Sequence, residues 1–294
     1  MAKRIMVRAP ARIDLAGGWT DVPTYCSGIS GEVVNIAINH YTKCIMEIDD
    51  ERKISLSYTT DMPTGSGLGT SGSMNVSLIG TIIGSQYSSE EIAELAYQFE
   101  ALLGNKGGRQ DQWSSALGGI NHLTFIGDKV KSKSLKPSTQ FSSWIEEKLL
   151  LFNSGITHVS GDLHKGVWER YQAGEENVSQ ALDDIRRAGL NMSEAITNES
   201  KSEFIGALRL VMQSVDLLSM ELHDPFRQNL NQFVQNGEVL AWKAMGAGSG
   251  GVVGILISED CNRSILIDKL NSMGWTNLDW KIDEEGLCRE EITL

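Results

Sequence analysis

The chain has 294 residues, 41% hydrophobic and 22% charged, enough apolar material for one or two packed domains and too much for a disordered chain. Its 26 basic and 38 acidic side chains leave a net charge of −12, which disfavours nucleic acid and anionic membrane surfaces as partners and leaves a phosphorylated ligand dependent on a local site. No apolar stretch reaches the ~18 residues that span a bilayer, the N-terminal MAKRIMVRAPARID lacks a signal-peptide core, and Cys26, Cys44, Cys261 and Cys288 have no zinc spacing, so they read as free thiols of a cytoplasmic protein.

Residues 3–9 alternate as a strand, followed by strands at Val33–Ile38, Thr42–Ile48 and Ile54–Tyr58. A Gly/Ser/Thr-rich loop, Asp61–Thr70, leads into a helix over Ser71–Gly84, where Met74, Leu78 and Ile82 predict a buried face. Ser88–Leu103 opens on Ser-Ser-Glu-Glu, an N-cap with early acids, and carries Ile92, Leu95, Ala96, Phe99 and Leu102 at helical spacing before Gly104 stops it. A strand follows at Ile120–Ile126, then a polar hairpin or loop over Lys129–Ser143 and a short core strand at Leu149–Phe152. From Asp162 to Gln235 the pattern is mainly helical, with breaks near Gly174, Gly189, Asn198 and Asp224-Pro225. Strands at Val239–Ala244 and Val252–Ile257 flank a second Gly-rich turn, Gly246–Gly251, and a helix over Cys261–Met273 and two short strands close the chain. The order implies an α+β protein of two lobes, residues 1–150 and 151–294.

Gly67-Leu68-Gly69-Thr70-Ser71-Gly72 matches G-x-G-x-x-G. A dinucleotide fold places that motif directly between a first strand and a helix; four strands precede it here, and no Walker A sequence occurs. The segment still offers glycines that admit a ligand to the backbone, free N–H groups where Ser71–Ser73 begin a helix, and hydroxyls at Thr70, Ser71 and Ser73. A simple helix N-cap after a glycine turn has the same look, as a tight hairpin has that of Gly246–Gly251. Two such loops in one chain point to a shared phosphate site.

Three blocks combine. APARIDLAGGWTD at 9–21, PTGSGLGTSGS at 63–73 and GAGSGG at 246–251 resemble, in order and spacing, the three motifs of the GHMP kinases. Within that family, the GGWTD block, the following GEVVNIAI and Gly108-Arg109-Gln110-Asp111-Gln112-Trp113 resemble the sugar-1-kinase branch, which holds L-fucokinase and the heptose 7-phosphate kinases. The resemblance implies a ribosomal protein S5-like N-terminal lobe, a ferredoxin-like C-terminal lobe, and ATP and substrate meeting between them.

It also implies roles. Asp111 matches the catalytic aspartate that accepts or orients the proton of the attacking hydroxyl, and Arg12 its basic partner, whose pairing is expected to lower the carboxyl's pKa. Gly65, Ser66, Gly67, Leu68, Gly69, Thr70, Ser71, Gly72 and Ser73, with Gly248, would hold the ATP phosphates. Ser71 and Glu100, eleven residues before Asp111, would supply oxygens to Mg2+. Asp21 would accept sugar hydroxyls, with Gly18, Trp19 and Thr20 beside it. The sequence departs from the family at Ser249, where glycine is usual, at Met245, where several relatives have threonine, and at His158, where relatives often have arginine. The expected activity is phosphoryl transfer from ATP to a sugar, on its anomeric hydroxyl, with a neutral fucose-like sugar and a heptose phosphate both open. The alternatives are a non-sugar alcohol such as mevalonate or homoserine, and a non-catalytic nucleotide- or sugar-binding module. The partners are small molecules, with no nucleic acid or membrane, and the oligomeric state is not fixed by the sequence.

Overall fold

The computed structural model describes residues 2–63, 65–104, 107–156, 161–246 and 248–294. In chain order its elements are β1 (Lys3–Ala16), α1 (Pro23–Cys26), β2 (Gly31–Ile48), β3 (Ile54–Thr60), α2 (Thr70–Ile83), α3 (Ser89–Leu102), α4 (Gln110–Leu117), β4 (Ile120–Ile126), β5 (Lys129–Leu135), α5 (Thr139–Lys148) and β6 (Leu149–Asn153). They continue through α6 (Gly161–Gln172), α7 (Glu176–Thr197), α8 (Lys201–Leu218), a 3₁₀ turn (Met220–Leu222), α9 (Asp224–Gln235), β7 (Val239–Ala244), β8 (Val252–Ile257), α10 (Arg263–Ser272), β9 (Thr276–Leu278) and β10 (Cys288–Thr293).

Two antiparallel sheets organise the chain. The first runs β10-β1-β2-β4-β5, with β3 also pairing β2. The second runs β7-β8-β6-β9. Numbered within the second half, that order is 2-3-1-4, and helices connect its first strand to its second and its third to its fourth. This is the split β-α-β arrangement of a ferredoxin-like domain, so the mixed two-lobed fold is observed. The sheets divide the chain near residue 149, except that β10 returns to pair with β1 from Lys3↔Thr293 to Arg8↔Cys288.

Local differences from the sequence pattern have physical causes. The strands expected at 33–38 and 42–48 are halves of one long β2, whose pairing with β1 shifts register at Pro10/Ala11, where proline lacks a ladder donor. Gly189 does not break a helix; it lies inside α7, and a Cβ there would sit 2.1 Å from the Glu32 carbonyl oxygen, so α7 packs directly on the sheet backbone. In α2 the buried face is Gly72, Ser73, Val76, Ser77, Gly80 and Thr81, whereas Met74 and Ile82 are exposed. The small face wins because α2 lies close against Val7 and Leu287, each within 3.3 Å of where a Gly80 Cβ would be. The Lys129–Ser143 segment is an edge strand followed by α5, capped by the Ser138 hydroxyl accepting from Phe141 N–H. Ser88 forms the full capping box with Glu91 that opens α3.

The main core crosses both halves: Ile13 and Leu15 of β1 and Ile36 of β2 join Leu182 and Ile185 of α7, Leu208 of α8 and Leu256 of β8. Among the described residues no helix is long and apolar enough to cross a membrane, and the four cysteines are free thiols.

Candidate active site

Alternate residues of a strand share a face, and this puts Arg12 and Asp14 side by side on β1 at the junction of the two halves. Arg12 is buried. Its Nε and Nη2 each lie 2.7 Å from Asp111 Oδ1, and its Nη1 donates to the carbonyls of Gly67 at 2.6 Å and Met245 at 2.8 Å. One guanidinium thus ties the first strand, both glycine loops and the start of α4 together.

The glycine loops meet backbone to backbone. Val252 N–H donates to Ser66 O at 2.8 Å, and a Cβ on Gly67 would lie 2.9 Å from Gly246 N. Gly65, Gly67 and Gly69 all have positive φ, from +67° to +76°, and Gly69 occupies the N-cap of α2. A Cβ on Gly72 would lie 2.6 Å from Asp111 Cβ, and one on Gly69 3.2 Å from Asp111 Cγ. Both glycines are therefore required for Asp111 to press against the N-terminus of α2, where unsatisfied N–H groups and the helix dipole favour an anion.

The loop residues divide by exposure. Leu68 and Ser73 are fully buried beneath it; Leu68 O accepts from Arg12 N–H, and the Ser73 hydroxyl bonds Thr70 O and Thr42 Oγ1. Ser66 Oγ and Thr70 Oγ1 bond each other at 3.2 Å. Ser71 is exposed on the first turn and donates to Glu100 Oε1 at 2.6 Å. Gly248, at φ +90°, packs against Leu222. Ser249, at φ +57°, occupies a backbone region that favours glycine, with its N–H on Leu222 O. Ala247 and His158 lie outside the described residues.

Glu100 is buried and accepts from Ser71 Oγ, Asn75 Nδ2 and Gln112 Nε2 at 2.6, 3.0 and 2.6 Å. Among the described residues no three His, Cys, Asp or Glu side chains cluster as a metal cage. A single fixed carboxylate with a neighbouring hydroxyl nevertheless fits Mg2+, a hard ion that keeps waters and phosphate oxygens around it.

Asp111 stands with its side chain 29% exposed. Burial raises its pKa, Arg12 opposes, and the Glu100 and Asp14 carboxylates add to the rise. The lowered pKa expected from the Arg12 pair is therefore corrected: desolvation outweighs the ion pair here. Asp21 is buried, and its Oδ2 accepts from Gln110 N–H at 3.0 Å. Burial pushes its carboxyl up to about 6, helped by the Asp111 and Asp14 charges. Thr20 is turned inward, donating to Gly17 O at 2.7 Å and accepting from Glu32 N–H at 3.0 Å. A Cβ on Gly18 would lie 1.9 Å from Asp14 Oδ2.

Other residues here, some inside the motif blocks and some far from them, have no role assigned from the sequence. Lys243 of β7 is buried and lies 2.7 Å from Asp14 Oδ2, across 229 positions; burial lowers its pKa and Asp14 opposes. Asp14, Gln110, His164, Lys165 and Trp168 join Arg12, Trp19, Asp21, Asp111 and Gly246 around a cavity of about 770 Å3. Asp14 stands in the first motif block, and the two-residue step from Arg12 along β1 puts it on the same face.

Residues 33–119 match the family of GHMP kinases N terminal domains. The chain is 24% identical to a D-glycero-alpha-D-manno-heptose 7-phosphate kinase of Campylobacter jejuni, over 97% of this chain and 98% of that protein. It is 23% identical to an L-fucokinase/L-fucose-1-P guanylyltransferase of Bacteroides fragilis, over 90% of this chain and 35% of that protein. A solved D-glycero-D-manno-heptose 1-phosphate kinase of Bacteroides thetaiotaomicron has the same fold at a TM-score of 0.80 and 19% identity, covering 99% of this chain and 100% of that one.

Proposed function

We propose that this chain, which belongs to the GHMP kinases, is an ATP-dependent sugar kinase that phosphorylates an anomeric hydroxyl. The observation that carries the reading is the Arg12–Asp111 pair pressed onto the glycine N-cap of α2, with the cavity opening over the same aspartate. Residues 1–150 would supply the phosphate loop and Asp111, and residues 151–294 the wall that completes the cleft, in a cytoplasmic setting.

In this reading the N–H groups at the start of α2 and the Gly65–Ser73 loop receive the triphosphate. Arg12 spends two donors on Asp111 Oδ1, so the second oxygen is the one that takes the acceptor hydroxyl. Burial makes that carboxylate more basic than an exposed one, which suits it to accept the proton as the O–P bond forms. Arg12 steadies charge beside the transferred group. Glu100 and Ser71 would hold Mg2+, which when bound supplies charge neutralisation on the phosphates. Asp21, held by Gln110 N–H, would grip sugar hydroxyls.

A coupled ADP-release assay over a panel of sugars tests the reading. Sugar-dependent ADP release that disappears in Asp111→Asn supports it. A purified, folded protein that binds ATP but turns over no sugar refutes it.

A further inference from the structure

The cavity over Asp111 has two unlike walls. One is aromatic. Trp19 stacks on His164 with ring centroids 4.3 Å apart and a 27° interplanar angle, and lies 5.8 Å from Trp168. Trp168 is backed edge-on by Tyr171 at 6.0 Å, and Tyr171 by Tyr25 at 5.9 Å. Trp19 has φ +85°, a left-handed conformation that a bulky side chain rarely adopts and that the surroundings must enforce. They do: Thr20 N–H and the Thr20 hydroxyl both bond Gly17 O. Backbone strain is thus retained where it aims an indole into the cavity.

The other wall is made of acceptors. Asp14 and Gln110 are 4% and 8% exposed, and both line the cavity. Among the described residues, Asp14 Oδ1 and Gln110 Oε1 have no hydrogen-bond partner. A buried carboxylate or amide oxygen is costly without a donor, and a cavity ligand rich in hydroxyls supplies donors. Asp14, Asp21 and Asp111 gather on this side, Asp14 paired with Lys243 and Asp111 with Arg12, so what they offer a ligand is acceptor oxygens. An aromatic wall facing acceptor oxygens matches a molecule with one C–H face and one edge of hydroxyls.

We propose that this cavity is an amphipathic acceptor subsite seating a neutral polyhydroxylated ring, its C–H face on Trp168 and Trp19 and its hydroxyl edge on Asp14 and Gln110. The proposal rests on the sugar-kinase reading and narrows the acceptor. Trp168 and His164 come from α6, and Trp19, Asp14 and Gln110 from the first half of the chain, so both halves set specificity.

The test combines calorimetric titration without nucleotide and ADP-release kinetics. The panel is L-fucose, D-mannose, D-galactose, a heptose 7-phosphate and mevalonate. Binding and turnover of a neutral pyranose is expected. Trp168→Ala should raise its KM about tenfold or more, and Trp168→Phe should restore most of that. Gln110→Met should lower kcat/KM by about ten- to a hundredfold, with the KM for ATP unmoved in all three variants. A neutral sugar whose KM and Kd ignore both Trp168→Ala and Gln110→Met overturns the subsite and leaves the kinase reading standing. Turnover confined to the heptose phosphate overturns the neutral ring alone. Turnover of mevalonate alone, or of nothing in the panel, overturns the sugar-kinase reading and the subsite with it.

Discussion

Asp21 couples the stability of the protein to its function with opposite signs. Its carboxyl is 2% exposed and titrates near 6 against an ordinary 3.8, because burial outweighs the bond from Gln110 N–H. The folded protein therefore keeps this proton up to about pH 6, while the unfolded chain releases it near 3.8. Between those values the folded state binds more protons, so stability is full below 3.8 and falls as pH rises through 6. At ~1.4 kcal/mol per pH unit, the buried carboxylate costs about 3 kcal/mol once both states are ionised. Asp21→Asn keeps a carbonyl oxygen for Gln110 N–H and removes the charge. We expect the variant to be about 2–3 kcal/mol more stable than wild type at pH 8, with the gap closing towards pH 4.5. The same change should lower kcat/KM for the sugar at least about tenfold, since the one amide oxygen is already shared with Gln110 N–H and the NH2 replaces an acceptor with a donor. Urea unfolding followed by circular dichroism from pH 4.5 to 8, beside steady-state kinetics, measures both. An Asn variant less stable than wild type at pH 8, or a gap that does not change with pH, refutes the argument.

Asp111→Asn should cut turnover by about two to four orders of magnitude while ATP affinity, read by calorimetry, holds; near-normal turnover would remove Asp111 from the chemistry. Glu100→Gln and Ser71→Ala should each raise the Mg2+ concentration for half-maximal rate, and an unchanged titration in both contradicts their assignment as its ligands. Lys243→Met leaves the Asp14 carboxylate buried without its cation, and thermal or urea melts should show a loss of about 3–5 kcal/mol. Adding Asp14→Asn should recover part of it, and a single-variant loss below about 1 kcal/mol would mean the pair is solvated.

The parts of the site that the sequence exposed are those built from neighbours in the chain. Glycines at 65, 67 and 69 announce positive φ because few other residues tolerate it, and all three adopt it. Val239–Ala244 and Val252–Ile257 read cleanly as strands because every residue of the latter is buried. Periodicity misled at α2, where Met74 and Ile82 marked the exposed side, because close packing chose glycine, serine and threonine over bulk. The hairpin alternative for Lys129–Ser143 holds in β5, which pairs back on β4, but its Lys and Ser side chains leave no apolar face to read, and the helix α5 that follows was not read. The Asp14–Lys243 pair and the α6 wall were out of reach for another reason. Only tertiary folding brings together residues so far apart in the chain, and no local pattern records it. The pKa of Asp111 failed similarly: the ion pair was legible from the motif, but the burial that outweighs it was not.

The return of β10 to β1 has a consequence for the order in which the protein can be made. The strand that carries Arg12 and Asp14 is synthesised well before its outer neighbour, Cys288–Thr293. Until that neighbour is made, the outer edge of β1 presents a row of unpaired amides and carbonyls. Such an edge recruits foreign strands, and closing a ladder across some 290 positions is slow in its own right. The nascent chain is thus most exposed to mispairing at the strand that its chemistry depends on, and completion of the first sheet waits for β10.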